Sequence, residues 1–395
     1  MTALTYEPSA ESAMIYRLRQ ALHGLMTVED VTVLENGAYP TVRFGGLLTS
    51  GDQNDRFEEI VTRFATHGYT PMLEGDAEIH RLTAIPGVPD GRTGKVWVNA
   101  VLFVLTALAV LLTGALNEMG MEGRFDLWRG VPFAATLLGI LIFHEFSHYF
   151  VGRRHGSPVS LPYFIPLPVL SFLGTMGAVI VQRGPMRSRK ALFDIGAAGP
   201  IGGLIIAIPL LFIGLAYSEV GSPDMFIDVP EGQPLLLLQE GNSLLYLGAK
   251  YAIHGRVLPD PHTGEDVWLS APSVGGPMAF AAWAGLLVTM LNLSPIGQLD
   301  GGHVAYAMWG RRAWLVARAY LLLLFGWGGL LLFLGNMAGV TWVVWGMLGS
   351  LLGPRHPPPL NDLTPLDGRR RLLGWILILI YVLIFIPIPL IEVTL

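Results

Sequence analysis

Long apolar runs dominate the chain beyond residue 95, whereas the first 92 residues alternate between polar and apolar positions in short stretches. The apolar runs that predict membrane spans are 96–116, 131–151, 193–217, 274–296, 313–334, 339–352 and 372–391. About 20 apolar residues are needed to cross the hydrocarbon of a bilayer. Every run except 339–352 approaches that length, so the sequence predicts six or seven spans.

The N-terminal region carries the pattern of a small soluble domain. Helical spacing predicts helices over 10–23 and 53–66. Alternation predicts strands over 28–34, 41–48, 69–73 and 78–83. We therefore expect an α+β domain over 1–92, ending in a turn-rich linker rich in Pro and Gly.

This domain shows no catalytic constellation in its sequence. His23, His67 and His80 are isolated from one another, and we expect them to be surface or structural residues. The polar N-terminus also lacks the pattern of a signal peptide.

The apolar segment 157–182 does not fit a simple span, because Pro158, Pro162, Pro166 and Pro168 interrupt it. Non-helical backbone at membrane depth is tolerated only where protein or a water-filled cavity covers it. We predict a re-entrant loop that ends in an extended piece over 175–181. The alternative is an ordinary membrane helix kinked by its prolines.

Basic residues predict the orientation in the membrane. They cluster at Arg153, Arg154, Arg183, Arg187, Arg189, Lys190, Arg311, Arg312, Arg355, Arg369, Arg370 and Arg371. Alternating spans place all of these on one side together with the N-terminal domain, and place the acidic connection 218–273 on the other. We therefore expect a cytoplasmic N-terminal domain and an external C-terminus.

The composition agrees with a membrane protein. Hydrophobic residues make up 52% of the chain and charged residues 14%, against about 25% charged in a typical soluble protein. The chain has no cysteine, which excludes disulfides and thiolate metal ligands. It also has no Lys/Arg-rich tract with interleaved aromatic residues, so we expect no nucleic-acid partner.

The second apolar run contains an HExxH motif at His144, Glu145 and His148. Positions i and i+4 share one face of a helix, so both imidazoles can bind one Zn²⁺ while the glutamate acts as a general base on water. Such motifs also arise by chance in soluble proteins. Ionisable side chains at membrane depth are costly, however, and are functional candidates by default. The setting of the motif therefore favours a metal site.

Asp300 is the predicted third ligand. It follows the fourth apolar run, at the same end of the spans as His148, and a carboxylate would complete a site with two histidines and leave a position for water. The alternative is a turn or helix-end aspartate before Gly301 and Gly302. We expect His303 to support the site or to be structural, and it is the nearest other candidate ligand.

These motifs together resemble the site-2 protease family of intramembrane zinc metalloproteases. The resemblance lies in HEFSH at 144–148, GTMGA at 174–178, FDIGAAGPIGG at 193–203 and NLSPIGQLDGG at 292–302. It covers roughly residues 95–310. The combination of these motifs is highly specific.

The resemblance implies a role for each matching residue. It implies one zinc per chain, with His144, His148 and Asp300 as ligands, and Glu145 as the catalytic base. Asn292 would contact substrate or polarise the scissile carbonyl. The strand edge 174–179 would pair with an unwound substrate, which makes Gly174, Thr175 and Gly177 candidate substrate-binding residues.

The function implied is hydrolysis of peptide bonds within or near the transmembrane segments of single-span proteins in the lipid bilayer, as in regulated intramembrane proteolysis. A metal-ion transporter and a non-catalytic membrane scaffold are the alternatives. A transporter predicts a chain of carboxylates and histidines along its path, and a scaffold predicts loss of the base. The sequence shows one cluster and keeps Glu145.

The predicted fold is a polytopic α-helical membrane protein with a re-entrant loop or β element near the active site and a small N-terminal soluble α+β domain. Its predicted parts are a cytoplasmic α+β domain over 1–92, a transmembrane metalloprotease core with the following spans over 93–354, and a C-terminal loop with the last transmembrane helix over 355–395. We see no PDZ-like sequence, although many relatives carry that domain.

Overall fold

The N-terminal region folds as a four-stranded antiparallel sheet with two helices. The computed structural model describes residues 10–36, 39–75, 78–89, 94–122, 125–168, 171–222, 236–269 and 275–394. The N-terminal elements are α1 (Ala10–Ala21), β1 (Met26–Glu35), β2 (Thr41–Leu48), α2 (Gln53–Ala65), β3 (Tyr69–Gly75) and β4 (His80–Pro86). The six predicted elements are thereby confirmed, with ends that differ by a few residues.

The strand order of this sheet is β1-β2-β4-β3, so β1 and β3 are its edges. Phe44, Phe57 and Phe64 are buried between the sheet and the helices. His80 is buried, and its Nδ1 accepts a hydrogen bond from the Leu48 amide at 3.1 Å. The structural role expected for His80 is therefore confirmed.

Nine helices follow in the described part of the chain. They are α3 (Val96–Glu122), α4 (Val131–Arg154), α5 (Arg189–Ala216), α6 (Leu244–His254), α7 (Gly275–Asn292), α8 (Asp300–Trp309), α9 (Ala313–Phe333), α10 (Gly339–Leu352) and α11 (Gly368–Ile384). α5 packs along α4 on one side and along α7 on the other. These three helices form the centre of the bundle, and the HExxH motif lies on α4.

Four stretches of the described chain are long and apolar enough to cross a membrane: Val96–Met119, Leu127–Arg154, Arg189–Ala216 and Asp300–Phe333. Large apolar side chains such as Ile205, Leu322 and Phe333 are exposed on them, as expected for a surface that faces lipid. The chain is therefore a multi-pass helical membrane protein.

The prediction of six or seven spans counted more than these four. α7 has 18 residues, α10 has 14 and α11 has 17, so these helices are shorter than the four stretches above, and whether each of them crosses the membrane stays a prediction. Turn residues and prolines shorten the predicted runs. Ser294 and Pro295 follow the end of α7, and Pro387 and Pro389 follow α11, where they cannot continue a helix.

The described part of segment 157–182 forms a hairpin, so the alternative of a kinked helix is wrong. β5 (Tyr163–Pro166) pairs antiparallel with β6 (Thr175–Val179). The pairing continues beyond β6, where the Arg183 amide donates to the Pro158 carbonyl at 2.8 Å. Among the described strands, none pairs with the other edge of β6. Whether the hairpin enters the bilayer as a re-entrant loop stays a prediction.

The two ends of the helix bundle carry different elements. At one end, β7 (Val220–Gly221) pairs with β9 (Asp266–Val267), and β8 (Leu236–Glu240) pairs with the C-terminal β10 (Leu390–Thr394). At the other end the N-terminal domain contacts basic residues of the bundle, through the ion pairs Arg187–Glu58 and Arg311–Glu74. The N-terminal domain and these basic residues lie at the same end of the bundle, as predicted. The assignment of that end to the cytoplasm stays a prediction.

Candidate metal centre and active site

Three side chains converge where α4, α5 and α8 meet. Asp300 Oδ2 lies 3.2 Å from His144 Nε2, and Asp300 Oδ1 lies 3.3 Å from His148 Nε2. The two Nε2 atoms are 3.2 Å apart. Both histidines are buried, and Asp300 is 13% exposed. Within the described residues, this is the one group of three or more His, Asp or Glu side chains that could share a metal ion.

The donor set fits zinc. Tetrahedral zinc sites with bonds of 2.0–2.2 Å place neighbouring donor atoms about 3.3 Å apart. The three distances between His144, His148 and Asp300 match that spacing. Two imidazole nitrogens and one carboxylate also leave a fourth position open, as zinc sites that act on water require.

A backbone carbonyl of α5 orients His148. Its Nδ1 donates to the Ile195 carbonyl at 2.7 Å, which leaves the lone pair of Nε2 directed at the other two ligands. A metal-binding histidine commonly uses its second nitrogen in this way. Ile195 therefore sets both the tautomer and the ring orientation of His148.

The glycines of α5 make room for the motif. A Cβ at Gly199 would lie 1.9 Å from His148 Nε2, and a Cβ at Gly202 would lie 2.1 Å from Ser147 Oγ. Only a residue without a side chain allows α4 to approach α5 this closely. The close contact between α4 and α5 therefore explains the glycines at these two positions of segment 193–203.

Asp300 is the first residue of α8, and close packing fixes its position. Gly301 follows it, and a Cβ there would lie 1.9 Å from the Leu293 carbonyl oxygen. The turn between α7 and α8 is therefore folded tightly against the start of α8. Asp300 is a helix-end residue, as the alternative expected, but its carboxylate faces the two histidines. Its role as a metal ligand stays a prediction.

Glu145 and Asn292 lie beside the three convergent side chains. Glu145 is buried and lines the same cavity as His144 and His148. Asn292, the last residue of α7, places its amide nitrogen 3.4 Å from His144 Nε2. The structure therefore brings together Glu145, Asn292 and all three predicted metal ligands.

The cavity in front of these residues measures about 790 Å³. One part of its wall is the stretch from Ala178 to Met186, and another part is formed by His356, Pro357 and Pro358. A cavity of this size can hold several residues of an extended peptide. It connects the metal centre with the end of the bundle that carries the N-terminal domain.

The predicted substrate-binding residues Gly174, Thr175 and Gly177 do not line this cavity, whose wall begins at Ala178. Gly174 has φ of +75° and packs against α3, where a Cβ would lie 2.6 Å from Thr113 Oγ1. Thr175 is buried, and its Oγ1 accepts a hydrogen bond from the Gly177 amide at 2.9 Å. These residues shape the hairpin, and a direct contact with substrate stays a prediction.

Gln182 is a cavity residue that sequence reasoning missed. It forms a non-hydrogen-bonded pair with Val159, so its own N–H and C=O point away from that partner. Both polar atoms of its side chain are buried without a hydrogen-bond partner among the described residues. Buried amides are normally paired, so the side chain of Gln182 has an unused donor and an unused acceptor beside the cavity. The sequence around Gln182, between Val181 and Arg183, does not indicate that this residue lies in the cavity.

A histidine pair lies beyond Asp300 in the same cavity. His356 Nδ1 contacts the Pro357 carbonyl, which can only accept, so Nδ1 is the protonated nitrogen of His356. Burial lowers the pKa of His356 to about 4, so the ring is neutral and its Nε2 accepts from His303 Nδ1 at 2.6 Å. His303 therefore supports the cavity wall, and the described residues offer no contact that makes it a ligand in this geometry.

Comparison with known proteins agrees with these observations. A model of the family described as Peptidase family M50 matches residues 132–333. The "Probable zinc metalloprotease EGY1, chloroplastic" of Oryza sativa subsp. japonica is 30% identical over 266 residues, which cover 65% of this chain and 41% of the relative. The protein of the same name from Arabidopsis thaliana is 29% identical over 261 residues, 65% of this chain and 43% of the relative.

A longer alignment exists with the "Probable zinc metalloprotease EGY2, chloroplastic" of Arabidopsis thaliana. It is 28% identical over 364 residues, which cover 87% of this chain and 61% of the relative. The chain thus spans less than two thirds of the length of these curated relatives. No solved structure matches the chain.

Proposed function

The chain belongs to peptidase family M50, and from this premise we propose that it is an intramembrane zinc metalloprotease. Its substrates are single-span membrane proteins, and it hydrolyses peptide bonds within or near their transmembrane segments. The observation that carries the proposal is the convergence of His144, His148 and Asp300 beside Glu145 in one cavity. The two histidines and Glu145 lie on α4, which is part of a stretch long and apolar enough to cross a membrane.

His144, His148 and Asp300 would hold one zinc ion. When bound there, zinc would supply a Lewis acid that polarises the scissile carbonyl and lowers the pKa of water. Glu145 accepts a proton from the attacking water and donates it to the leaving amine. Its place next to His144 in the chain, with its side chain in the same cavity, supports this role.

Asn292 orients the scissile carbonyl. Its amide nitrogen is a hydrogen-bond donor at the mouth of the ligand cluster, where negative charge develops on the carbonyl oxygen during attack. Because the amide is held at the end of α7, it needs little rearrangement to act. The support for this role is its 3.4 Å contact with His144.

The substrate must unwind before it is cut, because the carbonyls of a helix are hydrogen-bonded within it. An exposed strand edge lowers that cost by pairing with the unwound segment. The continuation of β6 through Gln182 offers such an edge inside the cavity. We place the bound segment here, with the hairpin residues Gly174, Thr175 and Gly177 supporting the strand at its other end.

The orientation of the helix bundle in the membrane is part of the same proposal. The end of the bundle that carries the N-terminal domain, the basic residues and the mouth of the cavity is the cytoplasmic side, following the distribution of Lys and Arg. Water would then reach the metal centre from the cytoplasm. The described parts of the acidic connection, which are residues 218–222 and 236–269, lie on the opposite side together with β10.

The two other functions fit less well. A transporter needs several ion sites along its path, whereas the described residues contain one cluster of potential ligands. A non-catalytic scaffold has no use for the general base, and Glu145 is present at the centre.

The test is cleavage of dye-labelled single-span peptides by the purified full chain in detergent and in liposomes. We expect cuts within or near the apolar segment, identified by mass spectrometry, that stop with a zinc chelator and resume when zinc is restored. A water-soluble helical peptide of equal length is the matched control. Cleavage that persists with chelator, or no cleavage of any single-span peptide, would contradict the proposal.

A further inference from the structure

A segment between α10 and α11 lies between the N-terminal domain and the helix bundle. This segment, residues 353–367, is here called the strap. The Leu73 amide donates to the Leu360 carbonyl at 2.6 Å, and the Asp362 amide donates to the Leu73 carbonyl at 2.9 Å. Leu73 lies on β3, which is an edge of the N-terminal sheet. The strap therefore extends that sheet by one short parallel strand.

The other edge of the strap pairs with the chain just before α5. The Leu360 amide donates to the Met186 carbonyl at 2.8 Å, and the Asn361 amide donates to the Arg187 carbonyl at 2.9 Å. The strap is thus held between β3 and residues 186–188. These backbone bonds join the N-terminal domain, the strap and the start of α5 into one hydrogen-bonded unit.

Side chains reinforce the unit from three directions. Leu360 is buried in the apolar core of the N-terminal domain. Asn361 is 1% exposed, and its amide donates to Asn54 Oδ1 at 3.3 Å. Asp362 accepts from Arg189 of α5 at 2.7 Å and from Tyr306 of α8 at 3.1 Å. α8 begins at Asp300, so the unit is anchored to the helix that carries the third metal ligand.

Both walls of the active-site cavity continue directly from this unit. His356, Pro357 and Pro358 precede Leu360 along the strap, and Gln182 to Pro185 precede Met186. The pairing of Leu360 with Leu73 and Met186 therefore fixes the point from which both lining segments extend along the cavity. Nothing about this arrangement depends on the metal.

The two walls differ in chemistry. The wall around Gln182 has outward-facing backbone groups and an unpaired side-chain amide, so it can bind a peptide backbone. The strap wall contains Pro357, Pro358 and Pro359 in a row, and proline has no N–H to donate. An extended substrate can both donate to and accept from the first wall, whereas the amides of the three prolines offer it no donor.

We propose that the strap is the second wall of the substrate cleft and that the N-terminal domain positions it, which makes Leu73, Leu360 and Asn361 positioning residues for substrate. The inference rests on the proposed function. The occupant is an extended apolar peptide segment, held by backbone hydrogen bonds at Gln182 and limited in width by Pro357 and Pro358. The N-terminal domain thus acts on substrate binding without touching the reacting atoms.

The kinetic test compares Leu360→Asp, Leu360→Ala and Leu360→Ile in the full chain. Leu360→Asp places a charge in the apolar core of the N-terminal domain and should release the strap, whereas Leu360→Ile should keep it in place. With a dye-labelled single-span peptide we expect KM to rise about tenfold for Leu360→Asp, which corresponds to about 1.4 kcal/mol of lost positioning. Leu360→Ala should show a smaller rise in KM, and kcat and zinc content should be retained throughout.

Leu34→Asp is the matched control, because Leu34 is an exposed residue of β1, at the opposite edge of the same sheet. It should leave KM unchanged. An unchanged KM for both Leu360→Asp and Leu360→Ala would overturn the inference. So would equal losses of kcat and zinc in these variants, which would indicate a general folding defect.

A distance measurement tests the same inference without activity. The chain has no cysteine, so spin labels can be placed at Pro185→Cys and Pro357→Cys, one on each wall. We expect a narrow distance distribution in the parent and in Leu34→Asp, and a broad one in Leu360→Asp and Leu360→Ala. Equal widths in all four would overturn the inference. If the parent cleaves no peptide, the proposed function fails, and the distance distributions still decide whether the strap is positioned by the N-terminal domain.

Discussion

Gly199 of α5 lies directly against the imidazole of His148, so that a Cβ on Gly199 would stand 1.9 Å from Nε2 and 2.5 Å from both neighbouring ring carbons. The ring cannot easily move aside, because its Nδ1 is hydrogen-bonded to Ile195 and its surroundings are buried. The close contact of α4 with α5 at this point therefore holds the proposed metal ligand His148 in place.

Gly199→Ala should weaken zinc binding, because the added methyl group must displace the His148 ring. We expect affinity to fall about tenfold or more, the range seen when groups that orient a ligand are altered. Gly326→Ala is the matched control, since Gly326 lies on α9 with nothing within 4 Å of its Cβ position. Zinc titration should show a lower affinity for Gly199→Ala than for Gly326→Ala. Equal affinities would contradict the claim that Gly199 makes room for the His148 ring.

Asp300→Ala should lower zinc occupancy sharply, because it removes one of the three proposed protein ligands. Elemental analysis of the purified variant measures the change directly. His303→Ala serves as the comparison, since His303 bonds to His356 rather than to the ligand cluster. Full zinc in Asp300→Ala together with loss in His303→Ala would reverse the assignment of the third ligand.

Gln182→Leu should raise KM by about fivefold to 150-fold, because it removes a donor and an acceptor worth about 0.5–1.5 kcal/mol each in net hydrogen bonding, and about 1.4 kcal/mol is a factor of ten. The folded protein should lose no stability, because the side chain has no hydrogen-bond partner among the described residues. Gln20→Ala, at an exposed position of α1, is the control. A lower melting temperature with unchanged KM would show instead that Gln182 is structural.

Much of the site follows from local sequence. The HExxH spacing on one helix places His144 and His148 on a common face, and the apolar setting explains why such costly side chains are functional candidates. The N-terminal elements follow from periodicity, because a small sheet with one buried face has a regular alternation. Asp300 could be predicted because it ends up at the same end of the spans as His148.

Other features depend on contacts between distant segments and leave no local pattern. The strap pairs with Leu73 across nearly 300 residues of intervening chain, so nothing in its Pro-rich sequence indicates this contact. Gln182 gains its importance from its register with Val159. The number of spans stays a prediction, because apolar turns such as 293–296 count as span in the sequence, whereas Pro295 ends the helix and leaves α7 close to the minimum length for a span.

A buried charge cluster lies at the end of the bundle away from the N-terminal domain. Lys250 is fully buried and donates to Asp266 at 2.8 Å, while Glu240 lies 3.5 Å from it and accepts from Tyr246. One cation faces two carboxylates, so a single proton makes the group neutral. Burial raises the pKa of Glu240 to about 7, against the smaller opposing effect of Lys250.

The stability of this region should therefore depend on pH. The folded-state pKa of Glu240 lies above its unfolded value, so its protonation stabilises the fold at low pH and this contribution is lost as pH rises through about 7. Hydrogen exchange of α6 amides, corrected for intrinsic rates, should show falling protection between pH 5 and pH 8. Glu240→Gln, which stays neutral, should remove that dependence, and an unchanged profile in this variant would contradict the assignment.

The most direct test of the central claim is the turnover of Glu145→Gln with its zinc content measured in the same preparation. The substitution leaves His144, His148 and Asp300 untouched and removes only the group that accepts the proton. We predict zinc equal to the parent and a rate of single-span peptide cleavage lower by about 10²–10⁴-fold, the usual contribution of a general base. Turnover near that of the parent, with zinc bound, would contradict the claim that Glu145 is the base of a zinc protease.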